Sequence, residues 1–286
     1  MPSEHAAIQF LHLSDLHYVG ATSESTINTN TRRHLDLAVQ VAGCLKPAPA
    51  FVLISGDLVD GGKLEDYREL KRELERLTIP TFLALGNHDD SGHFAEVFAD
   101  HASASGQAAI VAGLHIVTLD SHVPQRVYGH LQHEQLDWLH SELARYPELP
   151  KIIQLHHPPV FGKSDGFPDE WHHLSAESSE ALHRILSLYR VLGVFSGHIH
   201  TDQFTLWRGI PCFCTAGLNN TTDVTYQAGL RGVRAASFNL CSVSGGDLRV
   251  AAVPLLALEE ELFTLSAEQL QKFNPSATSP VDKEKK

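Results

Sequence analysis

Five short apolar runs in this chain each end in side chains able to bind a metal, and that recurrence constrains the fold more than any other feature. Ile8-Gln9-Phe10-Leu11-His12-Leu13 leads into Ser14-Asp15-Leu16-His17. Phe51-Val52-Leu53-Ile54 leads into Ser55-Gly56-Asp57, and Thr81-Phe82-Leu83-Ala84-Leu85 into Gly86-Asn87-His88-Asp89. The run 152–155 leads into His156-His157-Pro158-Pro159, and the run 191–195 into Ser196-Gly197-His198-Ile199-His200. Each run has the length and composition of a strand, and the all-apolar ones suit strands buried on both faces. Amphipathic helices are expected between them: 32–45, with Leu35, Ala38, Ala42 and Leu45 on one stripe; a second marked by Leu64, Tyr67, Leu70, Leu74 and Leu77; then 133–145 and 177–188. A further strand is expected over 114–119. In open α/β sheets ligands bind outside the carboxyl ends of the strands, so these five ends can converge on one spot.

After Gly197 the texture changes. Strand-like runs at 203–208, 211–215, 234–241 and 248–253 follow one another with no helical period between them. β-α units followed by a β-rich end predict an α/β domain with more than one sheet. One domain is expected over 5–265. In the remainder, 266–286, a helical turn or two is expected at 266–272 and a disordered tail at 274–286, which is polar and punctuated by proline.

Acidic residues outnumber basic ones by 34 to 22, for a net charge of −12. No nucleic-acid polymer is expected as partner, since a phosphate backbone calls for a basic face. An anionic substrate would need local positive charge, which bound cations supply. The longest apolar run, 250–258, is interrupted by Pro254 and falls short of the roughly 20 residues a spanning helix needs, so no membrane partner is expected. The N-terminus shows no secretory signal, and Cys44, Cys212, Cys214 and Cys241 form no C-x-x-C pair. They read as buried free thiols in a reducing compartment, which implies a cytoplasmic location. Cys212 and Cys214 alternate and would share one strand face. The unusual count is 19 histidines.

Asp15, His17, Asp57, Asn87, His156, His198 and His200 offer carboxylate, amide and imidazole ligands and no thiolate. Such N/O sets suit Zn, Mn, Fe or Co without selecting sharply among them. Seven ligands are too many for one ion. Shared through one bridging carboxylate, they make two four-ligand sets, and two-metal sites clamp an in-line displacement at phosphorus. Gly56, Gly86 and Gly197 each precede a ligand, where the chain is expected to turn tightly.

The ordered set D-x-H, G-D, G-N-H-D, H-x-P and G-H-x-H, running from Phe10 to His200, resembles the calcineurin-like metallophosphoesterase superfamily. Leu64-Glu65-Asp66-Tyr67, Leu119-Asp120-Ser121, Gln135-Leu136-Asp137-Trp138-Leu139 and His156-His157-Pro158-Pro159 make it most similar to class III cyclic nucleotide phosphodiesterases and the related bacterial glycerophosphodiesterases. The resemblance implies a four-layer αββα sandwich, two mixed β-sheets flanked by helices. It implies two divalent ions, with Mn or Fe favoured. Asp15, His17, Asp57 and His200 would hold the first, and Asp57, Asn87, His156 and His198 the second, with Asp57 bridging. His157 would then be structural or support a ligand. His88 would face the phosphate and serve as general acid to the leaving alkoxide, after attack by a hydroxide bridging the metals, with Asn87 and His88 stabilising charge on the phosphoryl oxygens.

The substrate expected is a small soluble phosphodiester, first a 3′,5′-cyclic nucleotide. A glycerophosphodiester, or a phosphomonoester or pyrophosphate, is the alternative on the same scaffold. Asn30, Trp171 and Asn219 are candidate substrate contacts, and the loop 161–175 is a candidate lid. Asp89 or Asp120 is a candidate to orient an imidazole, and His12 to pack under the site. A homo-oligomer is allowed by analogy, with the β-rich end as its surface.

Overall fold

The structure, a computed structural model, describes residues 7–21, 23–25, 27, 29–103, 105–161, 173–226 and 230–255. In chain order these form β1 (Ile8–Leu13), α1 (Thr31–Cys44), β2 (Val52–Ser55), α2 (Leu64–Leu74), β3 (Thr81–Ala84), α3 (Ser91–Val97), β4 (Gln107–Val111), β5 (Leu114–Thr118), α4 (His133–Ala144), β6 (Lys151–Gln154), α5 (Ala176–Leu186), β7 (Val191–Ser196), β8 (Gln203–Trp207), β9 (Ile210–Cys214), β10 (Thr221–Thr222), β11 (Gly232–Val233), β12 (Ser237–Ser244) and β13 (Asp247–Pro254). Among the described residues, no helix is long and apolar enough to cross a membrane.

Two mixed sheets carry the molecule. The first runs β13-β12-β1-β2-β3, with β1, β2 and β3 parallel, β12 antiparallel to β1 and β13 antiparallel to β12. The second runs β4-β5-β6-β7-β9-β8, parallel from β5 through β9 and closed by an antiparallel strand at each edge. β10 and β11 pair as a separate two-stranded ribbon.

The apolar runs are continuous because most central strands are buried on both faces. Alternate residues of one strand feed different cores. Leu11, Leu13, Val52 and Ile54 pack with Leu35, Tyr67, Leu70 and Phe94 from α1, α2 and α3. Phe10, Phe51 and Leu53 point the other way, to meet Ile116, Ile152 and Phe195 between the sheets. Val117, Ile153 and Val194 pack against Leu139, Leu143, Leu182 and Leu186 of α4 and α5. Helix, sheet, sheet, helix is the four-layer order.

α3, β4 and the β10–β11 ribbon add to the elements expected from the sequence. Cys212, Cys214 and Cys241 are buried free thiols, but Cys44, at the end of α1, is exposed. The sequence-based domain end at 265, the helical turn at 266–272 and the tail at 274–286 lie outside the described residues, as do Trp171 and most of the 161–175 loop.

Candidate metal centre

The segments that follow β1 and β2 stay joined beyond the strand ends. Asp15 N donates to Gly56 O at 3.0 Å, His17 N to Asp57 O at 2.9 Å and Tyr18 N to Leu58 O at 3.0 Å. In the second sheet Gly197 N donates to His156 O at 3.0 Å. Two further bonds tie the sheets together at this end. One nitrogen of His156, Nδ1, donates to Ser55 O at 2.7 Å. His198 N donates to the Asp15 carboxylate at 3.1 Å.

The backbone here is unusual. Asp15, His17, Asp57, His198 and His200 all have positive φ, between 39° and 70°. Left-handed backbone is uncommon for residues with a Cβ and persists where the surroundings enforce it, most often at functional sites. The glycines act mainly by leaving space. A Cβ on Gly197 would lie 1.8 Å from Ser14 Oγ, and one on Gly86 2.2 Å from Asp57 Oδ1. Of the three glycines expected to permit tight turns, Gly56 alone has a positive φ, 92°. The other two are required by close approach.

The seven residues singled out in the sequence meet at this end of the sheets. Asp57 Oδ2 lies between two imidazoles, 3.4 Å from His17 Nε2 and 3.4 Å from His156 Nε2. Asn87 Oδ1 is 3.2 Å from the same His156 Nε2. His200 Nε2 is 3.3 Å from Asp15 Oδ1. The potential ligand atoms of Asp15, His17, Asp57 and His200 all lie within 4.8 Å of one another. Asp15, His17, Asp57 and His156 are buried.

The second nitrogen of each imidazole decides what the first can do. His17 Nδ1 is held by Asp60 Oδ1 at 3.1 Å, and His200 Nδ1 by Asn220 O at 3.1 Å. With His156 Nδ1 on Ser55 O, all three rings spend Nδ1–H on an oxygen acceptor and turn Nε2 to the cluster. Among the described residues, the buried His17 Nε2 has no hydrogen-bond partner. His157 differs: its Nδ1 meets Ser121 Oγ at 2.9 Å and its Nε2 meets Val127 O at 2.9 Å. Although its ring nitrogen lies close to His156 and His198, both its nitrogens are occupied, and burial depresses its pKa far below the usual histidine value.

Charge points the same way. Burial pushes the His156 imidazole down, but the Asp57 and Asp15 carboxylates outweigh it and carry the pKa up to about 9. His17 is likewise raised, by Asp60, Asp57 and Asp15 acting against burial. These carboxylates hold protons on nitrogens where a cation would take their place. A buried, thiolate-free set of aligned Nε2 and carboxylate oxygens fits a divalent metal.

His88 is exposed, its Nδ1 on Asp60 O at 3.1 Å and its ring 4.5 Å from that of His17. Its backbone N donates to Asp57 Oδ1 at 2.9 Å. Asp60 therefore holds both histidines, one with its side chain and one with its carbonyl. It was not singled out, although its spacing from Asp57 in Gly56-Asp57-Leu58-Val59-Asp60 was readable.

Among the described residues, neither Asp89 nor Asp120 has an imidazole as hydrogen-bond partner. Asp89 accepts from Gly86 N, Leu58 N, Val59 N and Tyr67 Oη. Burial and then the Asp57 charge push its carboxyl up to about 6, against the pull of those donors. Asp120 accepts from His122 N and turns its own loop. Asn30 caps α1, its side chain accepting from Arg33 N at 3.1 Å. Asn219 is buried and accepts from the Thr29 hydroxyl. His12 does lie beneath the cluster, between Ser55 Oγ at 2.8 Å and Asn239 Nδ2 at 3.1 Å.

The family model for calcineurin-like phosphoesterases matches residues 8–202, which covers every strand end just described. This chain belongs to the calcineurin-like phosphoesterase family. It is thereby a metal-dependent phosphoesterase. It is similar to a probable cyclic nucleotide phosphodiesterase of Rhodococcus erythropolis, 31% identical over 86% of this chain and 83% of that one. It is also similar to a probable glycerophosphodiester phosphodiesterase of Arcobacter nitrofigilis, 30% identical over 58% of this chain and 62% of the other. Among solved structures, the purple acid phosphatase PPD1 of yellow lupin seeds superposes with a TM-score of 0.62 over 89% of this chain and 52% of that one. At 13% identity, that likeness speaks to the fold.

Proposed function

We propose that the chain is a two-metal phosphodiesterase acting on small soluble diesters, with 3′,5′-cyclic nucleotides as its substrates and a cytoplasmic location. The observation that carries the two-ion reading is the place of Asp57 Oδ2, at 3.4 Å from the Nε2 atoms of two different histidines. One carboxylate so placed joins two ligand sets: Asp15, His17, Asp57 and His200 on one side, and Asp57, Asn87, His156 and His198 on the other. Two divalent ions held there, Mn or Fe by preference, would supply positive charge at the phosphoryl oxygens and acidify a water for in-line attack.

The chain's own residues do the rest. The Asn87 amide donates to a phosphoryl oxygen as charge builds on it. His88, exposed and fixed through Nδ1 on the Asp60 carbonyl, presents Nε2 for proton transfer to the departing alkoxide. His157 keeps the His156 loop in place through Ser121 and Val127. The name of the Rhodococcus relative, matched over most of both chains, supports the cyclic nucleotide reading.

One observation favours a glycerophosphodiester as the second reading. Beside the His17 segment lies an open cleft of about 930 Å³ that includes Ser23, Ser25, Thr29, Asn30 and Arg234 and, among the described residues, no aromatic ring. Hydroxyl and amide groups suit a polyol better than a nucleobase. Initial rates on Mn²⁺-reconstituted protein, with cyclic AMP beside glycerophosphoethanolamine, separate the two. Chelator-sensitive turnover dominated by cyclic AMP is the expected result. Dominance of glycerophosphoethanolamine would move the substrate to the second reading, and turnover of neither would defeat both.

A further inference from the structure

α2 lies on the outer face of the first sheet, and Tyr67 is one of its fully buried residues. Its hydroxyl is not idle. It donates to Asp89 Oδ1 at 2.8 Å and accepts from Asp90 N at 2.9 Å. Asp89 in turn accepts from Gly86 N at 2.8 Å, Leu58 N at 3.1 Å and Val59 N at 3.3 Å. Leu58 directly follows Asp57, and Gly86 directly precedes Asn87. One buried carboxylate therefore ties the two loops that carry Asp57 and Asn87. Tyr67 is the one side-chain donor to it among the described residues.

The same helix holds another loop by neighbouring residues. Asp66 accepts from Gly20 N at 3.0 Å and Ser23 Oγ at 2.8 Å, and Glu69 accepts from Ala21 N at 3.1 Å. α2 thus braces the segment after His17 with its carboxylates and the Asn87 loop with its phenol. The spacing at the Asn87 loop leaves little slack, since a Cβ on Gly86 would fall 2.4 Å from Asp57 N.

We infer that Tyr67 is a positioning residue for the metal centre, acting through Asp89 to set the separation of Asp57 from Asn87. Its hydroxyl thereby controls metal affinity on the Asn87 side more than on the side of Asp15, His17 and His200. This rests on the two-ion reading above, and the test keeps the two apart.

The experiment is calorimetric titration of Mn²⁺ into metal-free wild type, Tyr67→Phe, Asn87→Ala and the double variant, with thermal unfolding of each metal-free protein alongside. Supporting groups behind a ligand are commonly worth tenfold or more in metal affinity, so Tyr67→Phe should weaken one Mn²⁺ site about tenfold and leave the other nearly unchanged. In the double variant the loss should be less than the sum of the single losses, because both substitutions act on the same site. A purely structural hydroxyl would instead lower the unfolding temperature with both affinities unchanged, and that result overturns the inference. So does equal weakening of both sites. A wild-type chain that takes up a single Mn²⁺ contradicts the two-ion reading. The role of Tyr67 then stands or falls on whether Tyr67→Phe weakens that one site.

Discussion

At the scale of the residue, the centre is built by directing lone pairs. Each of His17, His156 and His200 gives up Nδ1 to a fixed oxygen, which leaves Nε2 for the cluster. His157, adjacent in sequence to His156, has both nitrogens bonded and is barred from that role. His88→Ala should therefore lower kcat by about 10²–10⁴-fold, the usual worth of a general acid, with the circular dichroism spectrum unchanged. His157→Ala should act through the loop instead, with lower thermal stability and a milder rate loss. Near wild-type turnover in purified His88→Ala would remove that histidine from the chemistry. The residues that meet at the rim were legible in the sequence because Asp, His and Asn have little reason to recur at strand ends. What could not be read was which oxygen holds each second nitrogen. Those partners include the Ser55 and Asn220 carbonyls, which any residue type would supply. Tyr67 was equally concealed. It counts as one more apolar member of the α2 stripe, and its hydroxyl partners come from a loop 22 and 23 residues away.

At the scale of the element, strand ends and glycines set the site. Gly56 has φ of 92°, and a Cβ there would lie 2.6 Å from His156 Nδ1. Gly56→Ala combines left-handed strain of roughly 1–2 kcal/mol with a clash against the His156 ring. It should lower the urea midpoint and weaken metal binding together. Unchanged Mn²⁺ affinity in a folded Gly56→Ala protein would count against this tight packing. β1 carries a second consequence through His12, whose burial lowers its pKa to about 3. Asn239 Nδ2 donates to His12 Nδ1, so Nε2–H faces Ser55 Oγ and a further proton on Nδ1 would meet a donor. The unfolded chain binds that proton near pH 6.5 and the folded one near 3, so this site loses stability as pH falls through that window. The slope is about 1.4 kcal/mol per pH unit. His12→Gln should flatten the loss in metal-free protein between pH 6 and 4, compared with wild type by urea titration. An unchanged slope would contradict it. The apolar strand runs, even those of four residues, and the long periodic helices were readable, whereas α3, β4 and the β10–β11 ribbon were not. α3 is seven residues containing Gly92 and His93, too brief to show a helical period. β4 is a half-exposed edge strand with two alanines. The β10–β11 ribbon pairs only two residues on each side.

At the scale of the whole molecule, the parallel centres of two sheets bring their strand ends to one rim, where Asp15, Asp57 and Asn87 from the first meet His156, His198 and His200 from the second. Each of the three apolar layers is satisfied without a ligand, so the fold should persist without metal. The rim is different, because it gathers the buried carboxylates of Asp15 and Asp57 around a buried His17 Nε2 that has no hydrogen-bond partner among the described residues. Anything that binds the native state alone stabilises it by mass action, about 2.7 kcal/mol at one hundred times Kd. Adding Mn²⁺ to metal-free protein should raise the unfolding temperature in a concentration-dependent way, and Asp57→Asn should blunt that rise. An unfolding temperature indifferent to Mn²⁺ would mean the rim holds no ion. The most direct test is an anomalous difference map from a Mn²⁺-soaked crystal. Two peaks about 3.5–4 Å apart, on either side of the Asp57 carboxylate, are expected. A single peak, or peaks that do not contact Asp57, would contradict the two-metal centre.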